Sequence, residues 1–284
     1  MRLEYLAVAL LVWNLAVFAI FGIDKSKAKR GDRRVSEIAL LLIAFFLGAV
    51  GALAGMLVFR HKTRKLKFKI LVPIAFLLNA AIAIGGGYMM TMANELTEMS
   101  PIPTGEFLPG IYAVESGYVN CFLIRRGDKY IMIDAGMSVR QLEDGLATLG
   151  ISADDVGAVL MTHTHGDHTA GLQLVDGVDV YGMNPDIANV ELSDGETFEI
   201  LGAEFMSIAT PGHTYDSVSY LYDGRYLFSG DNLSLQANNV GLFVSVFNDS
   251  DAQQEADIAK LARLDGVEYI VTSHHGFTDN PIFP

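Results

Sequence analysis

The chain has 284 residues, 51% of them hydrophobic, with 20 Lys/Arg against 33 Asp/Glu and a single cysteine, a length that exceeds the usual size of one domain. Its charge is divided: residues 1–91 hold 13 basic and 4 acidic side chains, leaving 7 and 29 for residues 92–284, so the acidic part repels polyanions and nucleic acid is excluded as a partner. Cys121 alone excludes an intramolecular disulfide framework and any multi-cysteine zinc site, and its alternation with apolar neighbours reads as a buried strand thiol.

Residues 6–23 form an uncharged apolar run interrupted by Asn14; at ~1.5 Å per residue it nearly matches a bilayer core of about 30 Å. The flank Asp24-Lys25-Ser26-Lys27-Ala28-Lys29-Arg30 reads as a stop-transfer signal, so a retained helix is expected rather than a cleaved leader. Residues 38–59 and 70–92 are two further apolar runs. Both connecting loops, 24–35 and 60–69, are strongly basic, and the positive-inside rule wants both in the cytoplasm. Three simple spans cannot satisfy it. Gly48, Gly51 and Gly55 either break the middle run into two half-helices that enter and leave on one side or only permit close helix packing in a true span. In the first case everything after residue 92 lies outside the cell, a side that suits Glu95, Glu98 and Glu106 in a stretch without Lys or Arg. Asn14, Asp24-Lys25, Ala28, Arg33-Arg34, Glu37, Arg60-His61-Lys62-Thr63 and Phe68 resemble a small, uncharacterised bacterial integral-membrane family over residues 3–90. That resemblance supplies no activity; Asp24, Glu37 and His61 are either interfacial anchors or a polar site for a lipid headgroup.

Pro101, Pro103, Gly105, Pro109 and Gly110 punctuate the chain before a new pattern begins. The expected organisation is a transmembrane domain over 1–92, a linker over 93–106 and a second domain over 107–284. Short apolar strands are predicted at 111–114, 119–124, 130–134, 156–161, 178–181, 197–200, 204–209, 217–222, 226–229 and 268–272. Helical spacing is found at 139–149 and 251–264. Many short strands with few helices imply two packed sheets with helices outside.

The predicted strand 156–161 runs into Thr162-His163-Thr164-His165-Gly166-Asp167-His168, where four imidazole or carboxylate groups in six residues suit zinc and are costly to bury without it. With Ile133-Asp134-Ala135-Gly136, Thr210-Pro211-Gly212-His213-Thr214, Phe228-Ser229-Gly230-Asp231 and Val271-Thr272-Ser273-His274-His275-Gly276, this run resembles the metallo-β-lactamase-like hydrolase superfamily over 107–284. The resemblance implies an α/β fold, an αββα sandwich preceded here by an all-α transmembrane region. It implies two metal ions, zinc first with iron or manganese as alternatives: His163, His165 and His213 on one, Asp167, His168 and His275 on the other, Asp231 bridging, and Asp167 also catalytic. The family usually has Gly-His-Gly at the last motif; alignment on Gly276 favours His275, with His274 the alternative. Asp134 either fixes a ligating imidazole from outside the metals or caps a turn. Tyr215 and Asp216 either contact substrate or are turn residues, and the apolar stretch 233–247 is either a lip for an acyl chain or core.

Two such metals sharing a hydroxide would attack an ester, lactone, thioester or amide. The expectation is a metal-dependent hydrolase in a bacterial cell membrane, its catalytic domain extracytoplasmic, its partners membrane lipids and a small-molecule or lipid-like substrate. A mononuclear iron oxygenase on the same scaffold and a non-catalytic membrane metal sensor are the alternatives.

Overall fold

A computed structural model describes residues 3–284, and the chain divides into two compact units, Met1–Asn94 and Glu95–Pro284.

In the first unit, α1 (Leu3–Arg30) is followed by α2 (Glu37–Ile43), α3 (Ala49–Val58) and the long α4 (Leu66–Glu98), and three segments are long and apolar enough to cross a membrane. The middle one is not a straight helix. Between α2 and α3 the backbone leaves the helical region at Phe46 and Leu47, the latter with φ 57°, and the freed carbonyls are taken up by α1. Trp13 Nε1 donates to Phe46 O at 2.6 Å and Asn14 Nδ2 to Leu47 O at 2.9 Å, while Asn14 Oδ1 accepts from Gly51 N at 2.9 Å. Both ends of the segment meet at the C-terminal end of α1: Glu37 at the start of α2 and Lys62 after α3 lie 2.9 Å apart, and Asp24 of α1 is 2.7 Å from His61. The middle segment therefore turns back on itself. The break falls at Phe46–Leu47 and ends on Gly48, which is itself outside the helical region at φ -101°, ψ 10°; a Cβ on Gly51 would sit 2.1 Å from Asn14 O and one on Gly55 2.7 Å from Phe21 Cβ, so these two glycines admit the close approach of α1 and α3. Val17, Phe21, Leu40, Ala52, Met56, Phe68 and Val72 fill the space between the helices.

α4 continues to Glu98, so residues 93–98, expected as linker, are helical. In the second unit one sheet runs β1 to β7 in sequence order (Gly105–Leu108, Ile111–Ser116, Val119–Arg126, Lys129–Ile133, Val156–Leu160, Asp179–Gly182, Val190–Glu191). The other has the order β15-β14-β11-β10-β9-β8, with β8 Thr197–Ile200, β9 Ala203–Ala209, β10 Val218–Tyr222, β11 Tyr226–Phe228, β14 Tyr269–Val271 and β15 Phe277–Thr278. A small hairpin, β12 (Ser234–Gln236) and β13 (Asn239–Gly241), stands apart from both. Alternating side chains give each sheet two apolar faces. Phe122, Ile124, Ile131, Ile133 and Leu160 meet Phe205, Tyr220, Phe228 and Val271 between the sheets. Outside, Cys121, Leu123, Met132 and Val159 pack on Leu142 and Leu146 of α5 (Val139–Leu149), the one-turn α6 (Gly166–Thr169) follows β5, and Leu221, Leu227 and Ile270 pack on Ile258 and Leu261 of α7 (Asp251–Leu261). The result is an αββα sandwich.

Pairing fixes which loops converge. β4 and β5 are parallel, as are β11 and β14, and β9 runs antiparallel to β10, which is antiparallel to β11. The loops leaving the C-terminal ends of β4, β5, β9, β11 and β14 consequently gather at one edge of the sandwich, and these loops hold Asp134, His163 to His168, His213, Asp231 and His274.

Candidate metal centre

Asp134 follows β4 with φ 56°, a left-handed conformation that costs a non-glycine residue roughly 1–3 kcal/mol. Its carboxylate takes up three donors: Oδ1 accepts from Thr162 N at 2.8 Å, and Oδ2 from Thr162 Oγ1 and His168 Nδ1, each at 2.8 Å. It thus orients the His168 imidazole, as one of the two expected roles has it, and also tethers the loop after β5; it accepts nothing from the turn at Gly136 that the other role would have it cap. Gly230, at φ 56°, lies against this corner; a Cβ there would be 2.7 Å from Thr162 Oγ1.

The same arrangement recurs around the site. His163 Nδ1 is 3.0 Å from Thr162 Oγ1, whose own hydrogen goes to Asp134; His213 Nδ1 donates to Asn248 Oδ1 at 3.0 Å; His274 Nδ1 donates to Tyr118 O at 2.6 Å. With His168, four rings use Nδ1 outward, which fixes the tautomer that leaves Nε2 a free lone pair. All four Nε2 atoms converge on Asp231 Oδ2, at 3.8 Å (His163), 3.3 Å (His168), 3.6 Å (His213) and 3.1 Å (His274). His165 Nδ1 is 3.1 Å from His213 Nε2. Two groups are close enough to hold a cation each: His163, His165, His213 and Asp231, and Asp167, His168 and His274.

The electrostatics follow from this crowding. Burial pushes His163 well below the usual imidazole range, helped by the neighbouring His168, and burial likewise lowers His213. Burial opposes the charge on His168, yet the carboxylates of Asp231 and Asp134 outweigh it and raise this imidazole. Burial would also raise Asp231, but His274 and His168 hold it well below the ordinary carboxylate range. His163 Nε2 and Asp231 Oδ1 are buried without a hydrogen-bond partner, an arrangement that costs about 1–3 kcal/mol per group unless something satisfies it. Imidazole and carboxylate donors without sulfur suit zinc, and seven of them around two positions leave coordination open. The residues fit a metal pair.

Of the expected ligands, the fold brings together His163, His165, Asp167, His168, His213 and Asp231, but replaces His275 with His274. β14 ends at Val271, and Thr272 N and Oγ1 both donate to Gly276 O, at 2.9 and 3.0 Å, while His275 N donates to Thr272 Oγ1 at 3.0 Å. This tight turn, closed by Gly276 at φ 78°, directs His274 inward and sends His275 to a neighbouring cavity beside Ser234 and Val244. There burial, aided by His274, lowers its imidazole to about 4. Tyr215 and Asp216 are turn residues. Asp216 accepts from Thr214 Oγ1 at 2.7 Å and from Asn184 Nδ2 at 3.2 Å, Tyr215 Oη accepts from Asn184 at 2.8 Å, and neither lines the cavity over the cluster.

That cavity, about 260 Å³, has His165, Asp167, His213, Asp231 and His274 as its polar floor and Leu96, Met99, Tyr118, Phe243 and Phe247 as its walls. Phe243 and Phe247 come from the apolar stretch 233–247, while Leu233 and Leu235 of that stretch are core. Tyr118 and Asn248 were not singled out by the sequence. The turn Ser116-Gly117-Tyr118 is too ordinary to mark a site, and Asn248 is recognisable only once α7 sets it beside His213.

A family model for the metallo-beta-lactamase superfamily matches residues 114–182, and a model described as a protein of unknown function (DUF1294) matches 14–68. The chain carries a metallo-beta-lactamase superfamily domain preceded by a small membrane-type domain. A metallo-beta-lactamase from Pontibacter korlensis superposes with a TM-score of 0.52 at 21% identity, covering 63% of this chain and 93% of that one, a likeness of fold. Among curated proteins, a lactamase-like protein of Pestalotiopsis fici is 31% identical over 135 residues, 44% of this chain and 42% of the relative. An atrochrysone carboxyl ACP thioesterase of Aspergillus fumigatus is 31% identical over 127 residues, 40% of this chain and 29% of the relative. The matches thus span less than half the length of these relatives.

Proposed function

We propose that the chain is a membrane-anchored, metal-dependent hydrolase acting on an acyl ester or thioester. The observation that carries this reading is the convergence of four Nε2 atoms on the buried Asp231 carboxylate at the floor of an open cavity. His163, His165 and His213 would hold one ion, Asp167, His168 and His274 the other, with Asp231 between them, and zinc is the ion the donor set favours. When bound, the ions supply Lewis acidity toward a carbonyl oxygen and bring the pKa of water to roughly 7. The remaining steps belong to the chain. Leu96, Met99, Phe243 and Phe247 seat an apolar acyl group and exclude bulk water from the reacting carbon. Asp167, on the cavity floor, takes the proton of the attacking water and returns it to the leaving thiolate or alkoxide as the acyl bond breaks. Asp134, Thr162, Asn248 and the Tyr118 carbonyl hold four imidazoles in the tautomer the ions need.

Thioesters come first because the apolar walls suit an acyl chain and a relative bears the name of an acyl-carrier thioesterase. A panel of acyl thioesters, esters, lactones, β-lactams and phosphodiesters, run on wild type and His165→Ala, tests the reading. Turnover of thioesters or esters that disappears in His165→Ala is expected; a variant with wild-type activity overturns the assigned site.

We infer further that α1 and α4 cross a bacterial membrane and that the α2–α3 segment is re-entrant. Glu37 and Lys62, which flank this segment, are in contact, so both basic loops lie on one side, the cytoplasmic side by the positive-inside rule. The chain after residue 92 then emerges outside the cell.

A further inference from the structure

At the C-terminal end of α1 the first unit has an open basin of about 600 Å³ whose lining includes Lys25, Arg34, Arg60, His61, Lys62 and Arg64. Behind its lining residues Arg34, His61 and Lys62 lie ion pairs to carboxylates that do not themselves line it. Asp24, with no exposed side-chain surface, accepts from His61 Nε2 at 2.7 Å and Val35 N at 2.9 Å, with Arg34 3.6 Å away. Lys62, its side chain 3% exposed, is bound to Glu37 at 2.9 Å and lies over the Phe68 ring at 5.5 Å. Taking ions out of water is expensive even when they are paired. The backbone adds to the expense: Arg60 and Lys62 have φ 47° and 58°, in the region that side-chain-bearing residues avoid. A turn that merely joined α3 to α4 would need neither feature.

What this construction achieves is a fixed array of cations. Arg34, Lys62 and Lys65 have carboxylate partners, whereas among the described residues Lys25, Arg60 and Arg64 have no carboxylate within 4.0 Å, and no acidic side chain lines the basin. The Lys25 ammonium is held in place by the Arg60 carbonyl at 3.4 Å. Lys27, Lys29 and Lys69 lie in or beside the same loops without lining the basin, so the charge of the loops and the lining of the basin can be tested separately.

We propose that this basin is a binding site for a phosphate group, carried either by an anionic phospholipid or by a soluble phosphate compound. Guanidinium forks match phosphate oxygens in pairs, and basic pockets between membrane helices are suited to phosphorylated headgroups. The site stands independently of the metal centre.

The test is calorimetric titration of the full chain in detergent with two probes, dihexanoyl phosphatidic acid and inorganic phosphate. Saturable binding of at least one probe is expected, weakened tenfold or more in Lys25→Gln/Arg60→Gln/Arg64→Gln and less than twofold in the equally charged control Lys27→Gln/Lys29→Gln/Lys69→Gln. A phosphatidic acid affinity at least tenfold above that of inorganic phosphate identifies a lipid headgroup; comparable affinities identify a soluble phosphate compound. Thermal melting reports whether the variants fold, and if the first triple variant does not, Arg64→Gln alone is expected to weaken binding at least threefold. Absence of saturable binding to both probes, or equal weakening by both triple variants, overturns the proposal.

Discussion

At the scale of single residues, the adjacent histidines give the sharpest contrast. His274 faces Asp231 and Asp167, at 3.1 and 3.6 Å, while His275 sits beyond the turn. His274→Ala is therefore expected to lower metal content by about one ion per chain and His275→Ala to leave it unchanged, as measured by elemental analysis of purified protein. Asp134→Ala removes the acceptor of both Thr162 and His168, and loss of such a partner typically weakens metal binding by about 10- to 100-fold; competition with a zinc chelator measures it. Cys121 is fully buried on β3, and burial, with Asp134 nearby, pushes its thiol well above the usual range. Thiol reagents are expected to label it only as the protein unfolds; labelling of native protein at the unfolded rate would contradict that burial. The run His163 to His168 was legible because four imidazole or carboxylate groups in six residues have few other reasons to cluster, and His213 and Asp231 joined the candidate set through the family resemblance. The choice between His274 and His275 was not, because Gly276 serves the turn after β14 and does not mark the residue before it as the inward one. Tyr118 acts through its main-chain carbonyl, which no side-chain pattern can reveal.

At the scale of elements, parallel β4 and β5 place Asp134 beside Thr162, and α7 locks the loop of His213 from the other side. Gly212 is pressed against α7, where a Cβ would come within 2.3 Å of Gln254 N and Cα. Gly212→Ala must displace backbone rather than a flexible side chain, so a loss of about 1–3 kcal/mol is expected, readable by denaturant unfolding together with weakened metal binding. In the first unit Gly51 plays the corresponding part against Asn14. The strands were legible as short, dense apolar runs, since both faces of each sheet are covered. The short β1, β7, β12, β13 and β15 were not, because edge strands of two to four residues are defined by their neighbours rather than by their own composition. The break at Phe46–Leu47 was legible only through the adjacent Gly48. It occurs in two strongly apolar residues, and only the partners Trp13 and Asn14, more than thirty positions away, make it tolerable in an apolar segment.

At the scale of the whole molecule, charge separation was legible from the start, and the proposed topology rests on a middle segment whose flanking residues Glu37 and Lys62 are in contact. An alkaline phosphatase fused after Pro284 is expected to be active, since it works only outside the cytoplasm, whereas a fusion at Asp32 is expected to be silent; activity in the opposite pattern would reverse the topology. The substrate depends on features that spacing does not encode, above all the walls that Leu96, Met99, Phe243 and Phe247 set around the cluster. The most direct test of the account is metal-dependent turnover of an acyl thioester by the full chain after chelation. Activity that vanishes on metal removal and returns as zinc is restored to two equivalents is expected; full turnover without metal, or none in the fully loaded protein, would contradict it.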